Sequence, residues 1–324
     1  MPGNAKLRHV EIEKRNQELA EAANTLPINR VEMCDTKIGV ITSGIPYQYV
    51  KEALPEASVL KLGMVYPLPY EMIADFVKSV KRCIVIEELE PHIETLIKSK
   101  GIAVEGKNLF SIQGEFSVNL IREKVLGKKT EAVAAEIPAR PPVLCAGCPH
   151  RGVFYTLKKL KLNVMGDIGC YTLGAVPPLG SIDSVLCMGA SIGMAIGFDK
   201  ANSDFAKNTV AVIGDSTFIH SGITGLVDAV YNKADATIII VDNSTTGMTG
   251  HQNHPATGKT IKNEQTYPLN LEELCRATGV KSVDVVDPYE LDKFEQTVRK
   301  ALSESGVKVI IARRPCVLLT KKLY

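Results

Sequence analysis

The chain has 324 residues, 45% of them hydrophobic and 23% charged, with a formal net charge of +2. That is the composition of a soluble globular protein of about two domains, and so small a charge gives no pull toward nucleic acid or anionic membranes. No apolar run approaches the roughly 20 residues of a membrane span, and the opening stretch Met1–Lys6 lacks the apolar core of a secretory signal, so the reading is cytoplasmic.

Residues 1–36 form a lead-in, in which Leu7–Asn24 is charged and weakly periodic, the pattern of an exposed helix. Strands and helices then alternate. Lys37–Thr42, Ser58–Leu62 and Arg82–Glu87 read as strands. Pro46–Leu54, Tyr70–Val80, Pro91–Lys100 and Glu115–Val125 read as helices. Such alternation specifies a parallel sheet flanked by helices, and residues 37–127 form the first such domain. Gly127–Pro142 holds prolines that cannot continue a helix and favour extended chain, so residues 128–142 are expected to be a linker.

The second domain, residues 143–324, repeats the pattern. Its candidate strands are Asn163–Met165, Ser184–Cys187, Thr209–Ile213, Thr237–Val241, Ser282–Val286 and Val307–Ala312. Ile223, Leu226, Val227 and Val230 fall on one helical face, as do Leu291, Phe294, Val298 and Ala301. The fold class expected is therefore α/β, two parallel-sheet domains in series.

Two of these strand candidates, Thr209–Ile213 and Thr237–Val241, are unbroken apolar runs, as in strands buried on both faces. They end at Gly214-Asp215-Ser216 and at Asp242-Asn243, and the carboxyl ends of open α/β sheets are where ligands bind. Asp215 and Asn243 can hold one hard cation through oxygen, with the Thr245 carbonyl as third ligand, which suits Mg²⁺ bridging to a diphosphate. Ser216 and Thr217 open the next helix, where free N–H groups favour phosphate oxygens. Gly247, Thr249 and Gly250 make the following loop polar and able to approach a ligand closely. The plainer alternative is a helix cap at Asp215 and a turn at Asp242-Asn243. The pairing of both halves with buried strand ends favours the cofactor site, a pattern like the thiamine diphosphate signature.

Eight cysteines in so long a chain do not make a disulfide framework. Cys145 and Cys148 form a C-x-x-C in which Gly147 permits a tight turn, and Cys170 lies just beyond a strand. Thiolates so spaced fit zinc, an iron–sulfur cluster or a redox pair. Cys83, Cys187 and Cys275 sit in apolar patterns and are expected in the core; Cys316, taken alone, reads the same way. His150 beside Arg151 fits contact with an anionic substrate or phosphate, or a helix cap. His251 and His254 either face the substrate or lie in a solvated loop. There is no G-x-S-x-G, no P-loop and no Rossmann G-x-G-x-x-G.

Taken together, Leu144-Cys145-Ala146-Gly147-Cys148-Pro149-His150-Arg151-Gly152, Gly166-Asp167-Ile168-Gly169-Cys170-Tyr171-Thr172, Cys187-Met188-Gly189-Ala190-Ser191-Ile192-Gly193, Gly214-Asp215-Ser216-Thr217 and Asp242-Asn243 through Gln252 are a specific set. The chain resembles, over essentially all its length, the 2-oxoacid:ferredoxin oxidoreductases, in the branch of the large subunit of the indolepyruvate-using enzymes. The resemblance implies a transketolase C-terminal-like domain followed by a thiamine diphosphate-binding domain. It implies Mg²⁺ at Asp215, Asn243 and Thr245, and a proximal [4Fe–4S] cluster on Cys145, Cys148, Cys170 and Cys316. Cofactor contacts are implied at Ile168, Gly169, Tyr171, Gly189, Gly214, Ser216, Thr217, Gly247 and Met248, and a catalytic role for His150 and Arg151. Ser216 stands where the signature usually has Gly.

The chemistry implied is oxidative decarboxylation of an aryl pyruvate. CO₂ leaves, two electrons pass singly to ferredoxin, and coenzyme A takes the acyl group as a thioester. A second (β) subunit is the expected partner. The family's pyrimidine-binding and ferredoxin-like domains have no counterpart in this sequence, so a fragment or a split-gene subunit is expected. Two rival readings stand beside it: a non-redox thiamine diphosphate-dependent decarboxylase with structural cysteines, and a non-catalytic cofactor-binding or electron-transfer subunit.

Overall fold

The structure, a computed structural model, describes residues 1–129 and 137–320. The chain divides into two compact units, Met1–Ile137 and Pro138–Tyr324. Of the linker expected at 128–142, residues 130–136 lie outside the described residues.

The first unit opens with the helix Pro2–Ala22, none of whose residues is buried. Its sheet consists of β1 (Arg30–Glu32), β2 (Asp35–Ser43), β3 (Ala57–Leu62) and β4 (Arg82–Ile86), in the order β1-β3-β2-β4. The last three strands are parallel, and β1 runs antiparallel to β3. Alternate residues of each strand point to opposite faces. Val40, Val59 and Ile84 pack with Val50 and Ile121 on one side, while Ile41, Leu60 and Val85 pack with Ile73 and Phe76 on the other. Burial on both faces explains why these strands read as apolar runs. Strand β1 escapes a reading by periodicity because it has three residues and none of them is buried. The helix expected from Glu115 begins instead at Val118. Ser117 sets that start, its Oγ accepting from Leu120 N at 3.2 Å, and Gly127 ends the helix in the left-handed conformation at φ +70°.

The second unit carries a fully parallel sheet of β5 (Asn163–Met165), β6 (Thr209–Gly214), β7 (Ala236–Asp242), β8 (Ser282–Val286) and β9 (Val307–Arg313), ordered β5-β6-β7-β9-β8. Every residue of β6 and β7 is buried. Ala211, Ile213, Ile238 and Ile240 pack against Ile192, Phe218 and Leu226; Val210, Val212, Ile239 and Val241 pack against Phe154, Leu157 and Phe294.

Three expectations are corrected here. Ser184–Cys187 is not a strand. Asp183 Oδ2 accepts from Val164 N at 2.7 Å and Ser184 forms a single bridge to Met165, after which the chain leaves the sheet, so Cys187 is exposed rather than core. Val227 is exposed, because the helix Ile223–Tyr231 buries Leu226 and Ala229 instead. Leu291 is also exposed as the first residue of its helix, whose buried face is Phe294, Val298 and Ala301. Among the described residues no helix is long and apolar enough to cross a membrane.

Candidate functional site

The carboxyl ends of β5, β6, β7 and β9 are adjacent, and each continues into a polar segment: Gly166-Asp167, Asp215-Ser216, Asn243-Ser244 and Arg314-Pro315-Cys316. A cavity of about 120 Å³ opens there. Asp215, Asn243 and Thr245 all line it and are 3%, 7% and 4% exposed. The three oxygen-bearing residues expected around one cation are thus brought together in a nearly dry place.

Asp215 is held by backbone. Its Oδ1 accepts from Ser216 N at 2.8 Å and its Oδ2 from Ser244 N at 2.9 Å. Ser244 has φ +60°, a left-handed conformation uncommon for a residue with a side chain. That turn aims Ser244 N between two carboxylates, for Asp242 Oδ1 also accepts from it at 3.1 Å. Burial and the neighbouring charge of Asp215 push the Asp242 carboxyl up, while Arg313 opposes them with an Nε hydrogen bond of 2.7 Å. The same guanidinium grips Glu272 through two bonds of 2.8 Å and holds that carboxyl below its ordinary range. Two carboxylates crowded beside a cavity make a place where a divalent cation would relieve repulsion.

Asn243 is set by a histidine. Its Nδ2 lies 3.3 Å from His150 Nε2. An amide nitrogen only donates, so Nε2 accepts and the ring is neutral; burial agrees, pushing His150 down to about 4 against the pull of Asp215. His150 lines the cavity, edge-on to Tyr171. The Tyr171 hydroxyl donates to the Ile168 carbonyl at 2.9 Å, with Thr217 Oγ1 3.3 Å away. Burial pushes that phenol up, so it stays protonated. A Cβ on Gly214 would stand 2.5 Å from the Tyr171 ring, so only glycine allows the ring against the end of β6. Ser216, where a Gly is usual, has found a partner: its Oγ accepts from Thr246 Oγ1 at 2.9 Å, tying the two halves of the site together. Its N–H, expected to be free for phosphate, is taken by Asp215.

Ile168, Gly169, Tyr171, Gly214, Ser216, Thr217, Gly247 and Met248 line the cavity as expected of cofactor contacts. Gly189 does not. Its N–H donates to Asp167 Oδ1 at 2.8 Å, and it starts the helix Ala190–Ala201 at φ +90°. Arg151 does not line the cavity either; it turns to the cysteine loop, donating through Nε to the Cys145 carbonyl at 2.8 Å and through Nη2 to the Leu144 carbonyl.

The C-x-x-C forms a turn, with Cys148 N donating to the Cys145 carbonyl at 3.1 Å and Gly147 at φ +72°. Cys316 N donates to the Asn243 carbonyl at 2.9 Å, which ties the end of β9 to the loop after β7. Cys170 lines the cavity, and a Cβ on Gly247 would touch its sulfur at 3.3 Å. Burial pushes the Cys148 thiol up to about 11, with the nearby Cys316, Cys145 and Cys170 adding to the effect. The four cysteines therefore gather in one region. Among the described residues, however, no three His, Cys, Asp or Glu stand close enough to hold a metal ion.

Asp167, Met188 and Thr246 belong to this region and were not singled out from sequence; His254, expected to face the substrate or lie in a solvated loop, is instead buried at 7% exposure and does not line the cavity. Asp167 is fully buried and accepts three backbone N–H bonds, from Ile168, Gly189 and Ser191. The signal was available, since Gly166-Asp167 repeats the Gly214-Asp215 pattern at a strand end.

Residues 167–312 match the C-terminal TPP binding domain of thiamine pyrophosphate enzymes. The indolepyruvate oxidoreductase subunit IorA of Archaeoglobus fulgidus is 40% identical over 98% of this chain and 55% of its own length. That of Thermococcus kodakarensis is 36% identical with the same coverage. The 2-oxoglutarate synthase subunit KorB of Archaeoglobus fulgidus is 25% identical over 52% of this chain and 68% of its own length. The chain spans about half the length of the IorA relatives. Along nearly all of its residues the chain is similar to the indolepyruvate oxidoreductase IorA subunits, and the strand-end site lies inside its matched TPP-binding region.

Proposed function

We propose that this chain binds thiamine diphosphate with Mg²⁺ and acts, within a larger complex, in the oxidative decarboxylation of 2-oxoacids, with aryl pyruvates such as indolepyruvate as the substrate class. The observation that carries the proposal is the convergence of Asp215, Asn243 and Thr245 at the ends of neighbouring buried strands, on one cavity that Cys170 also lines. Asp215 and Asn243 would hold the cation through side-chain oxygens and Thr245 through its carbonyl. The cofactor, when bound, supplies the carbon nucleophile and electron sink that decarboxylation of a 2-oxoacid needs. The chain's own residues position it. Neutral His150 orients the Asn243 amide, Tyr171 closes the wall beside Gly214, and Met188 and Met248 give adaptable apolar surface at an aryl group.

The gathering of Cys145, Cys148, Cys170 and Cys316 supports a [4Fe–4S] cluster beside the cofactor, and with it electron transfer to ferredoxin in the reducing cytoplasm. The cavity lining holds no Glu among the described residues. A pyrimidine-binding domain, supplying a carboxylic acid that acts on the cofactor's aminopyrimidine, would complete the site, in an assembly that also includes a β subunit and takes coenzyme A as acyl acceptor.

Calorimetric titration with thiamine diphosphate and Mg²⁺ tests the site. Asp215→Ala is expected to lose binding; affinity equal to that of the unaltered chain would sink the assignment. Anaerobically purified protein is expected to show a broad visible absorption that Cys145→Ser loses. Zinc without iron in that protein would refute the cluster.

A further inference from the structure

Two buried side chains among the described residues have polar atoms without a hydrogen-bond partner, those of Ser191 and His254, and in His254 both ring nitrogens are bare. His254 is 7% exposed. An imidazole buried without partners is costly, and its surroundings give it a task. Its Nε2 lies 3.2 Å from Asp215 Oδ2, close enough to bond but off line, so no hydrogen bond forms in this arrangement. The backbone beneath the ring is pinned: the His254 carbonyl accepts from Thr257 N at 2.9 Å and from Thr257 Oγ1 at 2.8 Å. The ring's second torsion is broad, so a turn of the ring about it, with the backbone held, is the movement that would align Nε2–H with Oδ2.

We propose that His254 is a positioning residue for Asp215, donating from Nε2 to Oδ2 when a divalent cation is bound. Asp215 needs such a donor. Its Oδ2 holds only Ser244 N, which it shares with Asp242. A second, unshared donor saturates Oδ2 and leaves the open side of Oδ1 to the cation. The approach is from behind. Asp215 lines the cavity and His254 does not, so the ring orients the carboxylate and does not meet substrate. Partners of this kind set the rotamer of a ligand and are felt in metal affinity.

The inference rests on Asp215 as a cation ligand, and the experiment separates the two. Mn²⁺ binding in the presence of thiamine diphosphate is followed by the electron paramagnetic resonance of free Mn²⁺, on the full chain and on two variants. In His254→Gln the amide nitrogen falls near the place of Nε2; in His254→Asn it falls near that of Nδ1 and does not reach Asp215. His254→Asn is expected to bind Mn²⁺ about 10- to 100-fold more weakly, and His254→Gln to keep most of the affinity. Both are expected to melt alike without metal, since the bond is unmade there. Affinity in His254→Asn equal to that of the unaltered chain, or equal losses in both variants, would overturn the role of His254. Absence of Mn²⁺ binding in the unaltered chain would overturn the reading of Asp215 beneath it.

Discussion

His150 and Asn243 lie 93 positions apart in sequence, yet the state of one ring nitrogen decides where the Asn243 amide points. Burial keeps that ring neutral, with its titration pushed down to about 4, whereas an unfolded imidazole titrates near 6.5. Above pH 6.5 neither state takes up the proton. As pH falls from 6.5 toward 4, the unfolded chain binds it and the folded chain does not, so stability is lost across that window. The contribution amounts to up to about 3 kcal/mol at the acid end. Urea midpoints measured from pH 7 to 4 are therefore expected to fall more steeply in the unaltered chain than in His150→Asn; equal slopes would place the acid sensitivity elsewhere. Arg151, the next residue, shows the limit of reading by adjacency. Its charge suggested an anion, but the carbonyls of Leu144 and Cys145 hold its guanidinium.

The strands supply the next scale, because register decides which ends meet. Asp242 at the end of β7 is paired with Arg313 at the end of β9, and that register lets a guanidinium reach both Asp242 and Glu272. Removing it leaves a buried carboxylate beside Asp215 without its counter-charge. Arg313→Leu is expected to cost about 1–3 kcal/mol, between the values for exposed and buried pairs, since the Arg313 side chain is 37% exposed and that of Asp242 8%. Denaturant melts of Arg313→Leu, Asp242→Asn and the double variant check it, and additive losses in the double variant would contradict a direct pairing. Strands β6 and β7 were legible because two-sided burial leaves an unbroken apolar run. The segment Ser184–Cys187 is apolar too, but a single bridge at Ser184 is all that joins it to β5. Its Leu186 becomes surface at 72% exposed, as does Met188 just beyond it at 48%. Composition alone does not distinguish the two cases.

Across the whole molecule, each unit has its own core on both faces of its own sheet. Leu60 is fully buried in the first unit, so Leu60→Ala is expected to cost about 2–5 kcal/mol there while leaving Mg²⁺ and thiamine diphosphate affinity unchanged. A matching loss of cofactor affinity would contradict a site contained in the second unit. The α/β class, the parallel strands of both sheets and the seating of Asp215 and Asn243 at strand ends were determined by sequence alone; the antiparallel β1 was not. Periodicity, two-sided burial and the polar break after a strand are local properties that a linear pattern carries. Tertiary structure alone decided which groups share the Ser244 N–H, that Gly189 answers to Asp167, and that His254 is buried behind Asp215. Those choices depend on strand register and on loops returning from distant positions, and periodicity holds no record of either.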